Sequence, residues 1–387
     1  MLYVCSINTK KSYRITGSSI EVKILKILHI LSDSNIGGAG TYVANIIKNY
    51  DRNKFIMSVL IPNGSAAAKL FEGLDVRVIE ADIAADKSFD IRSVAKLRKY
   101  IKESGCDIIH THGSASARLA SKGICKSVFT KHTLSVSGNG IKGLIDRLLY
   151  RVAGGYAIAV SQAARDNLIS LGFNRKKIYT VLNGVTDMLP ADQQIKAESK
   201  KSFGIDSSKY VIGCVARFSP EKDYPTFLHA AKTASEKCDK LAFLLCGDGS
   251  TRNEMKSLAK SLGIYPKCVF AGNVYDIQRA YHAMDLYCIT SIHESFGQSL
   301  VEAWSAQLPA VTTDAKGFVE ISQNGVTSVI CKRSNPEEIS DAIIDLYENH
   351  DKARLLAQNG RKLYEEKYDS ITFTRGIEKV YENILNK

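Results

Sequence analysis

No two cysteines in this 387-residue chain are spaced as Cys-x-x-Cys. The nine thiols, Cys5, Cys106, Cys125, Cys214, Cys238, Cys246, Cys268, Cys288 and Cys331, are scattered along it. That spacing argues against a zinc ribbon and a dithiol redox motif. Cys214, Cys246 and Cys288 sit inside apolar runs, so the expectation is reduced, buried thiols in a cytosolic protein. No run reaches the roughly 18 apolar residues that a membrane span needs. The first 22 residues have no long apolar core and no clear cleavage site, so a secretory leader is not expected. They read as an extension without an assigned role. No period of 20 to 50 residues recurs, which excludes a solenoid.

What is present is a globular composition, 45% hydrophobic and 24% charged, in a chain long enough for two cored domains. The net charge of +12 points to an anionic partner without naming it. Between 91 and 151, twelve Lys/Arg stand against three Asp/Glu. Nucleic acid, an anionic bilayer and a phosphate-bearing substrate all fit such a stretch, as does a plain solvated face. Aromatics do not interleave with these charges, which disfavours nucleic acid.

Short apolar runs and amphipathic segments alternate. ILKILHIL (24–31), FIMSVLIP (55–62), DVRVIEAD (75–82), CDIIHTH (106–112), SVFTKHT, YAIAVS and KIYTVLNG read as strands, with helices between them, the first from Thr41. TDMLPADQQIKAESKK (186–201) breaks the pattern and reads as a linker holding one helical turn. The alternation restarts with YVIGCVARF (210–218), LAFLLCG, KCVFAG, DLYCITS (285–291), LPAVTTD and TSVIC. Such alternation predicts α/β architecture: two Rossmann-like domains with parallel sheets, facing a central cleft. The expected division is an extension at 1–22, an N-terminal domain at 23–190 joined by a terminal helix at 366–387, and a C-terminal domain at 191–365.

Candidate site residues fall at strand ends, where open parallel sheets bind ligands. Gly37 and Gly38, in GGAG after the first strand, suit a backbone approach to an anion, although the spacing is not that of a dinucleotide fingerprint. His110 and His112 end one strand. Two positions apart, they are expected to point to opposite faces and not to share a metal. His112 is the nearer to the strand tip, and His132 ends a second strand. Arg217 and Lys222, in VARFSPEKD, suit a diphosphate, one as a planar fork and the other as a point charge. Gly272 and Val274, in AGNV, mark a turn on which a base would rest. In TSIHESFGQSLVEAW, Gly297 is expected to open a helix whose first amides suit phosphate oxygens. Glu294 lies before that helix and Glu302 inside it. Carboxylates accept hydrogen bonds from sugar hydroxyls, so the layout fits a nucleotide-sugar: sugar, diphosphate, ribose.

Four segments together resemble the retaining glycosyltransferases of family 4, which have the GT-B fold. HESFGQSLVEAWSAQLPAVTT is similar to their E-x7-E segment, VARFSPEKD to their phosphate loop, IGGAGTYV to their glycine loop and DIIHTH to their His-bearing strand. The resemblance spans residues 22 to 380. It implies that the C-terminal domain binds the donor, a UDP-sugar first among the candidates. Arg217 and Lys222 would hold the diphosphate, Glu302 the ribose and Glu294 the donor sugar. The amides of Ser295, Phe296, Gly297 and Gln298 would meet phosphate or sugar, and His112 would lie against the sugar. It implies a glycan or lipid-linked acceptor on the N-terminal domain, retained configuration, and polysaccharide or glycolipid synthesis at the cytoplasmic face of a membrane. There IKGLIDRLLYRV (141–152) could touch anionic lipid. No metal and no cofactor are expected, because the sequence has no Asp-x-Asp to hold a divalent ion on the diphosphate. Gly40, Ala216 and Gln298 depart from the usual pattern and leave donor and acceptor identity open. Other readings of the same fold are a nucleotide-sugar epimerase, a soluble sucrose- or glycogen-type synthase, and a non-catalytic nucleotide-sugar binder.

Overall fold

The apolar run at 25–31 forms an interior strand of the first sheet because it is buried on both faces, as a parallel strand between helical layers must be. The computed structural model describes residues 10–15, 18–87, 89–132 and 152–386. The helix read over 141–152 lies, apart from its final residue, outside them. By contacts the chain divides into two units, Met1–Val181 with Phe373–Lys387, and Leu182–Thr372.

In the N-terminal unit a two-stranded antiparallel hairpin, β1 (Lys10–Ile15) and β2 (Ser18–Lys23), precedes the main sheet. That sheet contains β3 (Leu25–Leu31), β4 (Phe55–Pro62), β5 (Arg77–Ala81), β6 (Ile108–His112), β7 (Lys126–Lys131), β8 (Tyr156–Ala159) and β9 (Ile178–Thr180). Its order is β5-β4-β3-β6-β7-β8-β9, and every pairing is parallel. The helices are α1 (Gly38–Asn49), α2 (Ile91–Ser104), α3 (Ala115–Ala120) and α4 (Gln162–Ser170). Helix α2 begins at an Asp90 cap, whose carboxylate accepts from the Ser93 amide, and ends at Gly105 in the left-handed region. Helix α1 starts three residues before the expected Thr41, so Gly38 and Gly40 belong to its first turn. The Gly37 cap is extended, with φ −146°, a conformation open to any residue. At Gly40 a Cβ would come within 2.6 Å of the end of the Leu70 side chain, which would have to turn aside.

The second unit opens with α5 (Gln193–Ser202), where one helical turn was expected. An Asp192 cap starts it. Its inward face is a lysine: Lys200 is 6% exposed, with Nζ 2.7 Å from Asp285 and 2.8 Å from the Lys209 carbonyl. A buried lysine stem leaves no apolar stripe to read. The sheet comprises β10 (Tyr210–Val215), β11 (Leu241–Cys246), β12 (Cys268–Gly272), β13 (Leu286–Cys288), β14 (Ala310–Thr313) and β15 (Val329–Cys331). Its order is β12-β11-β10-β13-β14-β15, again all parallel. Cys214, Cys246 and Cys288 are buried free thiols in these strands, as expected. The connecting helices are α6 (Tyr224–Lys237), α7 (Arg252–Ser261), α8 (Ile277–His282), α9 (Gln298–Ser305), α10 (Lys316–Ile321), α11 (Pro336–Glu348) and α12 (His350–Lys367). Helix α13 (Ser370–Leu385) belongs to the N-terminal unit from Phe373 onward.

Both sheets reverse their strand order once, between β3 and β6 and between β10 and β13. At such a switch point neighbouring connections leave in opposite directions and open a crevice at the carboxyl ends of the strands. Gly37, Gly38, His112, Arg217, Lys222, Glu294 and the start of the Glu302 helix lie at these places, whereas Gly272 and Val274 follow β12, the edge strand of the second sheet.

Candidate active site

In the second unit, β10 runs into the loop carrying Arg217 and Lys222, and β13 into the loop carrying Glu294. Arg217 is exposed. The next residue, Phe218, is buried and stacked on Tyr224, with ring centroids 4.0 Å apart. The Tyr224 hydroxyl donates to the Ala216 carbonyl at 2.9 Å. Arg217 therefore stands on a rigid base with its guanidinium side open to solvent.

Pro220–Lys222 form a single 3-10 turn that ends at Asp223, a non-glycine residue in the left-handed region with φ 48°. The cost of that conformation is offset locally. The Asp223 carboxylate accepts from Thr226 Oγ1 at 2.8 Å and from Ser334 Oγ at 3.1 Å. The Thr290 hydroxyl lies 3.0 Å from the Lys222 carbonyl and 2.9 Å from that of Asp223. The Ile292 amide donates to the Glu221 carbonyl at 2.8 Å. The two loops are thus stitched through their backbones. Lys222 Nζ and Glu294 Oε2 then meet at 2.6 Å, with each side chain less than one-fifth exposed.

After Glu294 the chain turns inward. Phe296 is 2% exposed and packs against Tyr368, so at that position the backbone alone faces the crevice. Ser295, half-buried, precedes it. Gly297 caps α9 with φ 97°, and a Cβ there would also meet the Phe318 ring at 2.8 Å. Gly317 approaches the same loop: its amide donates to the Glu294 carbonyl at 3.1 Å. Inside α9, Glu302 is buried and doubly held, accepting from Tyr281 OH at 2.7 Å and from Gln298 Nε2 at 3.0 Å. Burial raises its carboxyl pKa, against the pull of those two donors. Gln298 thus orients Glu302 as well as opening the helix. Gly272 ends β12, and its carbonyl accepts from the Gly247 amide at 2.7 Å. Val274 follows in the loop, half-buried. Thr290 and Asp223 lie within the segments TSIHESFGQSLVEAW and VARFSPEKD and Tyr281 and Gly317 outside any motif, but no spacing marks the roles of these four residues, which arise from strand order.

In the N-terminal unit Gly37 and Gly38 leave β3, and His112 closes the neighbouring β6. The expectation that His110 and His112 face opposite ways is corrected. Side chains on a strand alternate with period two, so residues two apart share a face. The two rings lie 4.3 Å apart, centroid to centroid. With His29 they bring three ring nitrogens within 4.8 Å of one another, a grouping that the expected separation had excluded. His112 is fully buried and has both ring nitrogens occupied: Nδ1 by His132 at 3.0 Å and Nε2 by His29 at 3.3 Å. Burial depresses these groups, His29 to about 3, His132 to about 4, and His110 and His112 well below 6.5.

Comparison with known sequences and structures follows this division. A family described as "Glycosyl transferases group 1" matches residues 195–363, and "Glycosyltransferase Family 4" matches residues 36–187. The N-acetyl-alpha-D-glucosaminyl L-malate synthase of Bacillus anthracis is 25% identical over 80% of this chain and 84% of its own. The capsular polysaccharide biosynthesis glycosyltransferase CapM of Staphylococcus aureus is 24% identical over 59% of this chain and 62% of its own. Among solved structures, Anabaena HepE in complex with UDP and glucose superimposes with TM-score 0.79 at 22% identity, covering 92% of this chain and 99% of that one. At that identity the likeness speaks for the fold.

Proposed function

Because the chain belongs to glycosyltransferase family 4, we propose that it moves a sugar from a nucleotide-sugar to a glycan or lipid-linked acceptor, with retained configuration and no metal ion. A UDP-sugar is the donor favoured, by analogy with the UDP-bound neighbour. The setting is polysaccharide or glycolipid synthesis on the cytoplasmic side, with anionic lipid as the surface to which the basic segment docks. The observation that carries this reading is the meeting of Lys222 and Glu294 at a switch point, beside the N-terminus of the helix that holds Glu302.

The chemistry follows from charge. As the anomeric C–O bond breaks, negative charge grows on the diphosphate. Arg217, Lys222 and the amide end of α9 offer positive potential there without a divalent ion. Glu302, acceptor-only when ionised, takes hydrogen bonds from the ribose hydroxyls. Glu294 does the same for the transferred sugar. The acceptor oxygen attacks the face that the diphosphate leaves, and its proton passes to the departing phosphate oxygen. No protein nucleophile is needed. Positioning and charge stabilisation supply the rate. The family resemblance assigns His112 to the transferred sugar; at 1% exposure and with both ring nitrogens engaged, it meets a sugar only by exchanging its contact with His29 or His132.

The test is nucleotide release from a panel of UDP-, GDP- and ADP-sugars, with and without EDTA and membrane lipid extract. Release from one donor, unchanged by EDTA and raised by lipid, is expected. Loss of turnover in EDTA would overturn the metal-free assignment. If no nucleotide or donor shifts the melting temperature and none is turned over, the donor-site assignment falls.

A further inference from the structure

The histidines of the N-terminal unit, three of them fully buried and His132 half-buried, make one continuous series with two tyrosines and a threonine. His29, His110 and His112 sit on the adjacent strands β3 and β6, and His132 follows β7, next in the sheet. His132 Nε2 contacts His112 Nδ1 at 3.0 Å, and His112 Nε2 contacts His29 Nδ1 at 3.3 Å. His29 Nε2 lies 3.5 Å from the Tyr381 hydroxyl, which is 2.7 Å from His110 Nδ1. His110 Nε2 is 2.7 Å from Thr130 Oγ1, whose hydroxyl donates to the Tyr42 oxygen at 3.2 Å.

A neutral imidazole has one donor and one acceptor nitrogen, and a hydroxyl has one proton. In an unbranched series each member must hand the donor role on in the same direction. One proton position therefore fixes all the others. With Thr130 donating to Tyr42, His110 must donate from Nε2 and accept at Nδ1 from Tyr381. Tyr381 must then accept from His29 Nε2, His29 from His112 Nε2, and His112 from His132 Nε2. All four imidazoles carry their proton on the same nitrogen.

We propose that these residues form a single polarised hydrogen-bond chain through which Tyr381 sets the tautomer and ring orientation of His112, making Tyr381 and His29 positioning residues. The proposal rests on the reading of His112 given above. Burial holds all four rings neutral, and an imidazolium, with two donors, would break the polarity. The other titratable groups around the chain are Tyr42 from α1, Tyr381 and Glu378 from α13, and Lys131 from β7. The rival occupant of the His29, His110 and His112 cluster is a transition-metal ion.

The test uses the full chain labelled with 15N-histidine and read by long-range 1H–15N correlation, alongside elemental analysis. Of the eight histidines, four are expected as neutral rings with the proton on Nε2 and slow solvent exchange. Tyr381→Phe keeps the ring and removes the hydroxyl. It should leave His112, two links away, with mixed tautomers, and lower kcat for the donor about tenfold while its KM moves less than twofold. Mixed tautomers in the unaltered protein would overturn the chain without recourse to any variant. So would stoichiometric metal, or a His112 signal that Tyr381→Phe leaves unchanged. Full turnover by His112→Gln would remove the role on which the positioning claim rests, with the chain itself still legible in the spectrum.

Discussion

Lys222 and Glu294 are 72 positions apart in the sequence and 2.6 Å apart in the fold. Each neutralises the other at the place assigned to the diphosphate and sugar. A donor must take Lys222 from Glu294, and Glu294 must accept sugar hydroxyls in exchange. Lys222→Ala is expected to lower kcat by about 100- to 1000-fold, the usual cost of losing a group that stabilises developing charge. Nucleotide release at saturating donor measures it. A loss under threefold would place the diphosphate elsewhere.

Glu302→Gln should act on binding more than on rate. It keeps the shape but gives up charge-assisted acceptance, with a cost of about 1.5 to 3 kcal/mol. The donor KM should rise roughly 10- to 100-fold, with kcat reduced less. Tyr281→Phe, which removes one of the two donors holding Glu302, should move KM the same way by a smaller factor. Titration calorimetry with the free nucleoside diphosphate tests both. Unaltered affinity in Glu302→Gln would remove the ribose from this carboxylate.

Thr290→Val deletes the hydroxyl that serves the Lys222 and Asp223 carbonyls. Two buried acceptors then lose a donor, at about 1 to 3 kcal/mol. The expected signature is faster amide exchange in the loops around 217–223 and 290–297, together with a lower kcat. Unchanged exchange there would show that the loops hold without this stitch.

Gly317→Ala tests the support of the Glu294 loop. The added Cβ would lie 2.8 Å from both the Glu294 carbonyl oxygen and the Phe296 amide nitrogen, backbone atoms that cannot rotate away. Donor turnover should fall sharply while far-UV circular dichroism stays native. Full activity would mean that the loop has room to move.

Acid should weaken the N-terminal unit. His29, His110 and His112 are buried, with pKa values held below 6.5, His29 at about 3. The unfolded chain takes up protons near 6.5 while the folded unit does not. The stabilisation is therefore complete above that pH and is lost progressively as pH falls toward 3. At pH 5.5, below the unfolded value, each such ring costs on the order of 1 kcal/mol, and His132 adds to the same effect. The raised carboxyl of Glu302 works in the opposite sense, but in the other unit. Urea midpoints at pH 7.5 and 5.5 decide the matter, and equal midpoints would contradict buried neutral histidines.

The parallel α/β architecture was legible because β3, β4, β10 and β11 are short apolar runs bounded by turns, and only burial on both faces calls for such runs. Helix α5 was not, because its buried face is the Lys200 stem and its stability comes from Asp192 and Asp285. The motif residues were visible as strand-end residues. Their partners were not, since whether Thr290 reaches Lys222 depends on β13 lying beside β10, a fact of strand order that no local pattern carries. The shared face of His110 and His112 follows from strand geometry alone, since residues two apart on a strand point the same way.

The bond between His110 and Tyr381 spans 271 positions. On a ribosome, the unit begun first is therefore completed late. Residues 182–372 are continuous and can close their core as they emerge. The older sheet waits, with Tyr381, Ile377 and Ile384 still unsynthesised and their buried places unfilled. Chaperone demand should fall on the N-terminal half of the nascent chain, and a stop codon before Phe373 should be most damaging at the opposite end of the sequence from where it lies.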